Sequence, residues 1–303
     1  MKRKIKLEDL NYDNIFPKKA DAILCADIHL RDSVPICRTD DFMKAQQKKF
    51  LHLLVEAKYN NCPLLIAGDF FHRAKSSPWL EQWVIRIIKK YNVEIIVIPG
   101  QHDLPNHNLN EFEKSSMAVL DSAQCFQRCF KVDYNIGNGK YKIKDRTIIM
   151  QHTMVYLNNP IHDSIASTSA EKLLKKYEDA DVVLTGDNHT PFTFRKDGKI
   201  LVNPGSMMRT TVDQSKHLPR VYLYYAEDNI VEEHYLPIKK NVVTRKHIEV
   251  KEIRDEKIIS FISKIKNDYE VGISFRDNLK SFFDKNKVEI KVKKLIWRIL
   301  END

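Results

Sequence analysis

The chain has 303 residues, 43% of them hydrophobic and 30% charged, with 50 Lys and Arg against 41 Asp and Glu for a net charge of +9. That length suits one substantial core with a small appended domain, the composition is that of a globular protein, and the positive balance favours a polyanionic partner. No window reaches the ~20 apolar residues of a membrane-spanning helix, and none of the five cysteines, Cys25, Cys37, Cys62, Cys125 and Cys129, forms a Cys-x-x-Cys pair, which argues against a disulfide framework or a thiolate zinc site.

The chain opens on the basic Met1-Lys2-Arg3-Lys4, but Glu8, Asp9 and Asp13 stand where a signal peptide needs apolar residues, so the expected location is cytoplasmic. Ala22 to Ala26 is the first buried strand and runs into Asp27-Ile28-His29. An amphipathic helix follows over Phe42 to Tyr59, then the strand Leu64 to Ala67 ending at Gly68-Asp69. Pro78 opens a helix to Tyr91, and Ile95 to Ile98 passes through Pro99 into Gly100-Gln101-His102-Asp103. A helix over Glu111 to Leu120 precedes the strand Thr147 to Met150, which ends at Gln151-His152. A helix over Ala170 to Tyr177 precedes Val182 to Thr185, which ends at Gly186-Asp187-Asn188-His189. Strands alternating with helices predict an α/β architecture, in which ligand-binding groups collect beyond the carboxyl ends of the strands.

Beyond His189 the strands shorten: Phe192 to Arg195, Ile200 to Asn203, Val221 to Tyr225 and Ile230 to Tyr235 read as antiparallel hairpins completing a second sheet. The more charged residues 244–303 read as a small α+β domain appended to residues 1–243, with a strand at Ile248 to Val250 and a helix around Glu256 to Ile265. Eight Lys and Arg between Arg276 and Arg298, against three acidic residues, are interleaved with Phe275, Phe282, Phe283, Leu295, Ile296 and Trp297. Such a run is ordinarily a solvated face, and the aromatic residues make contact with DNA or a partner the alternative.

Five strand ends together offer Asp27, His29, Asp69, Gln101, His102, Asp103, His152, Asp187 and His189. A shared site for first-row divalent metals accounts for this mixture of imidazoles and carboxylates, and the number of ligands suits two ions. Two such ions activate water for attack on phosphorus near neutral pH. His52, His72, His107, His162, His217, His234 and His247 stand outside these turns and read as surface or packing residues, with His72 and His107 the exceptions to watch because they flank the motif loops.

In order, Asp27-Ile28-His29, Gly68-Asp69, Gly100-Gln101-His102-Asp103, Gln151-His152 and Gly186-Asp187-Asn188-His189 resemble the motif series of the calcineurin-like metallophosphoesterase superfamily over residues 22 to 206. Any one string is common by chance; the ordered set is specific. The resemblance implies a four-layer α-β-β-α sandwich of two mixed sheets. It assigns Asp27, His29 and His189 to the first metal, Asp69 to the bridge, and Gln101, His152 and Asp187 to the second metal. His102 would meet the scissile phosphate as general acid or phosphate stabiliser, oriented by Asp103. Gln101 stands for the usual Asn and Asp187 for the usual His, which makes the second position richer in oxygen and favours Mn2+, with Mg2+ or Fe2+ as alternatives, over zinc.

Within the superfamily, Asp27-Ile28-His29-Leu30, Gly68-Asp69-Phe70-Phe71 and Asn203-Pro204-Gly205-Ser206 with Arg209 look most like the SbcD or meiotic-recombination-eleven type of DNA-repair nuclease, although His72 replaces the Asp usual there. That likeness implies DNA as substrate, exonuclease and endonuclease activity, an SbcC-like SMC-type ATPase partner and a homodimer. Two other functions fit the same residues. One is a small-substrate phosphatase or nucleotide phosphodiesterase; the other is a non-catalytic DNA-end-binding subunit whose second metal site is weakened.

Overall fold

The computed structural model describes residues 18–129, 138–158, 167–267 and 274–300. The basic amino-terminal stretch and His162 lie outside the described residues. The chain divides into two compact units, Met1–Thr244 and Arg245–Asp303.

In the first unit β1 (Ala22–Cys25), α1 (Phe42–Asn60), β2 (Leu64–Ala67), α2 (Pro78–Tyr91) and β3 (Ile95–Ile98) follow one another. Local chemistry sets the helix ends. The Asp41 carboxylate accepts from the Lys44 amide at 3.0 Å to open α1, Ser77 with Pro78 opens α2, and Asn61 and Asn92 close the two helices in the left-handed conformation. The helix expected over Glu111 to Leu120 is divided at Ser115. A 3-10 turn covers Leu109–Lys114, and α3 (Ser116–Ser122) begins anew because the Ser115 hydroxyl accepts from the Ala118 amide. Next come β4 (Gln127–Arg128), β5 (Gly139–Ile143), β6 (Arg146–His152), β7 (Val155–Tyr156), β8 (Thr168–Ser169) and α4 (Ala170–Lys176). The unit is completed by β9 (Val182–Gly186), β10 (Phe192–Lys196), β11 (Lys199–Asn203), β12 (Arg220–Tyr225) and β13 (Ile230–Tyr235).

Two mixed sheets form the middle of this unit. The first has the order β13-β12-β1-β2-β3-β4 with β1 to β4 parallel; the second has β10-β11-β9-β6-β5 with β11, β9 and β6 parallel. Helix α1 lies on β1 and β2, α4 lies on β10 and β11, and β2 and β3 face β6 across the interior. The expected α-β-β-α order is therefore present. One hairpin is placed differently from the expectation: β10 and β11 do extend the second sheet, but β12 and β13 join the first, where β12 runs antiparallel to β1 with Ile23 opposite Leu223.

Phe42, Phe50, Leu53 and Leu54 of α1 are fully buried against the strands, each contributing about 1.5–3 kcal/mol of transfer free energy. The same buried face holds Lys49, 5% exposed, whose Nζ donates to the Met207 carbonyl at 2.9 Å. Burial, with Arg209 and Arg38 nearby, pushes the Lys49 amine down to about 7. Below that pH the folded protein carries a buried charge that the unfolded chain keeps in water. Between about 7 and the ordinary lysine range the folded state releases the proton while the unfolded state retains it, so this destabilisation fades as pH rises. Lys49→Met should therefore gain stability relative to wild type at pH 6.5 and lose that advantage by pH 9.5, a change of up to about 4 kcal/mol. Urea unfolding of both proteins at the two pH values measures it, and a pH-independent difference would remove the charge from the account.

The described part of the second unit contains α5 (Lys246–Asn267), α6 (Phe275–Lys285) and α7 (Ile290–Leu300) and no strand. The strand expected at Ile248 to Val250 is the first turn of α5, and the α+β reading of this unit changes to helical over the described residues. No Gly or Pro occurs from Arg245 to Asn267, so nothing interrupts a helix there. Leu279, Phe282 and Phe283 form a small core against Val288, Ile296 and Trp297. No helix among the described residues is long and apolar enough to cross a membrane. The five cysteines are free, all but Cys129 buried.

Candidate metal centre

Five parallel strands release their polar turns at one edge of the two sheets. β1 delivers Asp27 and His29, β2 delivers Asp69, β3 leads into the 3-10 turn Gln101–Asp103, β6 ends in His152, and β9 leads to Asp187 and His189. Four of these residues, Asp27, His29, Asp69 and Asp187, adopt left-handed backbone with φ between 47° and 80°. That conformation strains residues with a Cβ, although Asp, Asn and His tolerate it best. Glycines provide the room. A Cβ on Gly100 would collide with the Asp69 carboxylate, and one on Gly68, itself left-handed, would strike the His152 ring.

The ligand atoms converge. His29 Nε2 lies 3.1 Å from His189 Nε2, 3.7 Å from Asp27 Oδ1 and 3.5 Å from Asp69 Oδ2; His152 Nε2 lies 3.3 Å from the same Asp69 oxygen. Asp27 belongs to two tight groups, one with His29 and His189, the other with Asp69 and His152. Yet Asp69 Oδ2, His152 Nε2 and His29 Nδ1 are buried without a hydrogen-bond partner. Polar atoms without partners in a dry interior are costly, and divalent cations would satisfy those facing the cluster. The residues present fit metal ions.

Electrostatics agree with that fit. Burial drives the His29 and His189 imidazoles below their ordinary range, which keeps them neutral, the ligating form. It also pushes the Asp27 carboxyl up to about 7, because two buried carboxylates face one another with little solvent. At Asp69 burial acts upward too, but His152, His29 and His102 outweigh it and hold the carboxyl down at about 2. Burial disfavours the His152 charge, while Asp69 and Asp27 lift that imidazole to about 10. The interior thus demands positive charge at this point, from a proton or from a metal.

Gln101 and Asp187, the two departures from the family pattern, bond to each other: Gln101 Nε2 donates to Asp187 Oδ1 at 2.6 Å. The Asp187 amide also donates to both oxygens of Asp27 at 3.1 Å, but the Asp187 carboxylate is outside the tight ligand groups. The sequence places these two residues at the second metal; the structure pairs them with each other, with one amide oxygen and one carboxylate oxygen outside their mutual bond.

His102 stands at the mouth of the site. Its side chain is 40% exposed, its Nε2 is 4.0 Å from Asp69 Oδ2, and its Nδ1 is 3.1 Å from the His72 carbonyl. The expected contact with Asp103 is replaced by that carbonyl. Asp103 is fully buried and accepts from the amides of Phe70, Phe71 and Gly100 at 3.0, 2.7 and 2.9 Å, so its oxygens tie the β2 and β3 turns together. It is a positioning residue. His72 is the member that sequence reading undervalued: its ring stacks on His102 at 5.5 Å and groups with His29 and His102, and its place directly after Asp69-Phe70-Phe71 was the available signal.

Asn203-Pro204-Gly205-Ser206 also has a structural task. The Asn203 side-chain Nδ2 donates to the carbonyls of Asn188 and Thr190, the Ser206 backbone amide to that of His189, and the Met207 backbone amide to that of Asp27, fixing the loops that carry Asp27 and His189. Beside Gln101 and His152 opens a cleft of about 580 Å3, bordered by His107, Asn138, Lys176 and Tyr177.

The model of the calcineurin-like phosphoesterase family matches residues 22–191, more than half of the chain. No curated protein matches the chain. Among solved structures, an archaeal phosphodiesterase is similar at 15% identity and TM-score 0.43, covering 71% of this chain and 99% of its own. TT1561 of Thermus thermophilus is similar at 10% identity and TM-score 0.45, covering 72% and 100%. Zinc-complexed Vps29 of Entamoeba histolytica is similar at 14% identity and TM-score 0.36, covering 71% and 97%.

Proposed function

The chain belongs to the calcineurin-like phosphoesterase family, and from that premise we propose that it is a two-metal phosphodiesterase that cuts DNA. The observation that carries the metal chemistry is the cluster of buried polar atoms without hydrogen-bond partners around Asp69 and His152. Bound divalent ions supply charge stabilisation at phosphorus and make water nucleophilic near neutral pH. Asp27, His29, Asp69, His152 and His189 would hold them, with Gln101 and Asp187 adding oxygen on the second side, which favours manganese over zinc.

His102 supplies the proton step. With Nδ1 engaged by the His72 carbonyl, Nε2 is the atom free to stabilise the phosphate or pass a proton to the leaving oxygen. The +9 charge and the motif likeness to the SbcD type support DNA as the substrate, and that likeness supports an SbcC-like ATPase as partner and a homodimer. The Gln101–Asp187 bond favours one rival, a DNA-end-binding subunit with a weakened second site, because it engages one of the two Asp187 carboxylate oxygens.

Assays in manganese and in magnesium on end-labelled duplex DNA, single-stranded DNA and a small chromogenic diester separate these readings. Cleavage of DNA supports the proposal. Hydrolysis of the diester alone makes the protein a small-substrate phosphodiesterase, and about one metal per chain without hydrolysis makes it the binding subunit.

The basic helix α7 offers a separate check on DNA. Lys291 and Lys294 are exposed, whereas Lys293 Nζ donates to the Phe283 carbonyl at 2.9 Å. Phe282 and Phe283 are core residues of the second unit, so they are not free to stack on bases, and Trp297 packs partly buried against them. Neutralising Lys291, Lys293 and Lys294 should then flatten the salt dependence of duplex binding by about two units of slope, since each phosphate contact contributes about 0.9. Binding measured in calcium across a salt series reads this directly, and an unchanged slope would take α7 off the DNA path.

A further inference from the structure

A second cluster of ligating side chains occurs where helix α1 crosses the outer strand of the first sheet. His52 and Glu56 stand one turn apart on α1, and His234 faces them from β13. His52 Nε2 and His234 Nε2 are 3.0 Å apart, and Glu56 Oε2 is 3.8 Å from His234 Nε2. Atoms about 2.1 Å from a common centre stand ~3.0–3.8 Å apart for angles of roughly 90–130°, so these are spacings of ligands around one ion.

We propose that His52, Glu56 and His234 bind a zinc-class ion, separate from the catalytic cluster, that fastens α1 to the edge strand β13. No residue is shared between the two clusters. A packing interaction accounts for less of what is seen. One N–H between two neutral imidazoles satisfies that pair, but it leaves Glu56 Oε2 turned toward them beyond hydrogen-bond distance.

The carboxylate is held in place for the task. Asn60 is buried, with its Oδ1 accepting from the Ala20 amide at 2.9 Å, and its Nδ2 donates to Glu56 Oε1 at 3.2 Å, which leaves Oε2 for the ion. Burial, and then the neighbouring His234, lowers the His52 imidazole below its ordinary range and so favours the ligating form. The side chains of His234 and Glu56 are 27% and 19% exposed, open enough for an ion to enter and for water to complete its coordination. Two nitrogens and one oxygen without a thiolate select zinc, nickel or copper over calcium or magnesium.

The test compares wild type with His234→Asn and with Glu56→Gln, which keeps the Asn60 contact. Each protein is dialysed against Zn2+, washed in buffer, counted for zinc by mass spectrometry, and melted with and without Zn2+. Wild type should hold one zinc more than either variant and gain about 5 °C more in melting temperature from added zinc. Manganese-dependent diester hydrolysis should be equal in all three, because none of these residues is in the catalytic centre. If His234→Asn melts abnormally without metal, Glu56→Gln alone decides, with zinc affinity at this site at least tenfold weaker. Equal zinc counts and equal melting gains in wild type and the folded variants overturn the proposal.

Discussion

Asp69→Asn should lower turnover by about 10³-fold or more and deplete bound metal. Asp69 Oδ2 faces both His29 and His152 and has no hydrogen-bond partner, so its charge is directed at the point where the two ligand groups meet. An amide there offers a neutral oxygen and a nitrogen that repels cations. Losing about 4 kcal/mol of transition-state charge stabilisation is worth about a thousandfold in rate. The substitution leaves His152 buried with its main counter-charge removed, so its imidazole should fall from about 10. Metal analysis by mass spectrometry and steady-state rates on a diester read the two effects. Two bound ions with wild-type turnover would falsify the bridging role.

His102→Ala should lower the rate by about 10²–10⁴-fold, the range of general acid-base catalysis, and leave metal content unchanged. The ring is partly exposed at the mouth of the centre, while its backbone amide donates to Asp69 Oδ1 at 2.9 Å. That backbone bond survives the substitution, so the carboxylate stays in place when the imidazole is gone. The pH profile should lose one limb, because the group that exchanges the proton is absent. A variant that loses metal along with activity would instead make His102 a ligand. A diester with a very acidic leaving group should narrow the loss, since it needs little protonation, and an undiminished loss would favour phosphate stabilisation over proton donation.

Much of the site was legible because each turn follows a short apolar run with no alternative but a buried strand. Ile95 to Ile98, closed by Pro99 and Gly100, leaves Gln101, His102 and Asp103 at a strand end whatever the order of the sheet. Sheet order itself depends on pairing between distant residues. Val221 to Tyr225 has the same alternation wherever it pairs, and only its register against Ile23 places it in the first sheet. Side-chain partners were likewise hidden. Asp103 follows His102 directly, so sequence proximity implied a contact, but the 3-10 turn sends its carboxylate inward to three backbone amides. His52 and His234 are separated by 182 positions, and nothing local marks their meeting.

The left-handed turns at Asp27, His29, Asp69 and Asp187 set fold stability against activity at the same four positions. Each such residue stores on the order of 1–3 kcal/mol that Gly would release and Asn would reduce. Directed selection for thermal stability alone, without an activity screen, would therefore be drawn toward Gly and Asn there and would erase the proposed ligands as the fold hardened. Retention of Asp or His at these four turns in natural variants of the chain is therefore the outcome expected if the proposed centre is used.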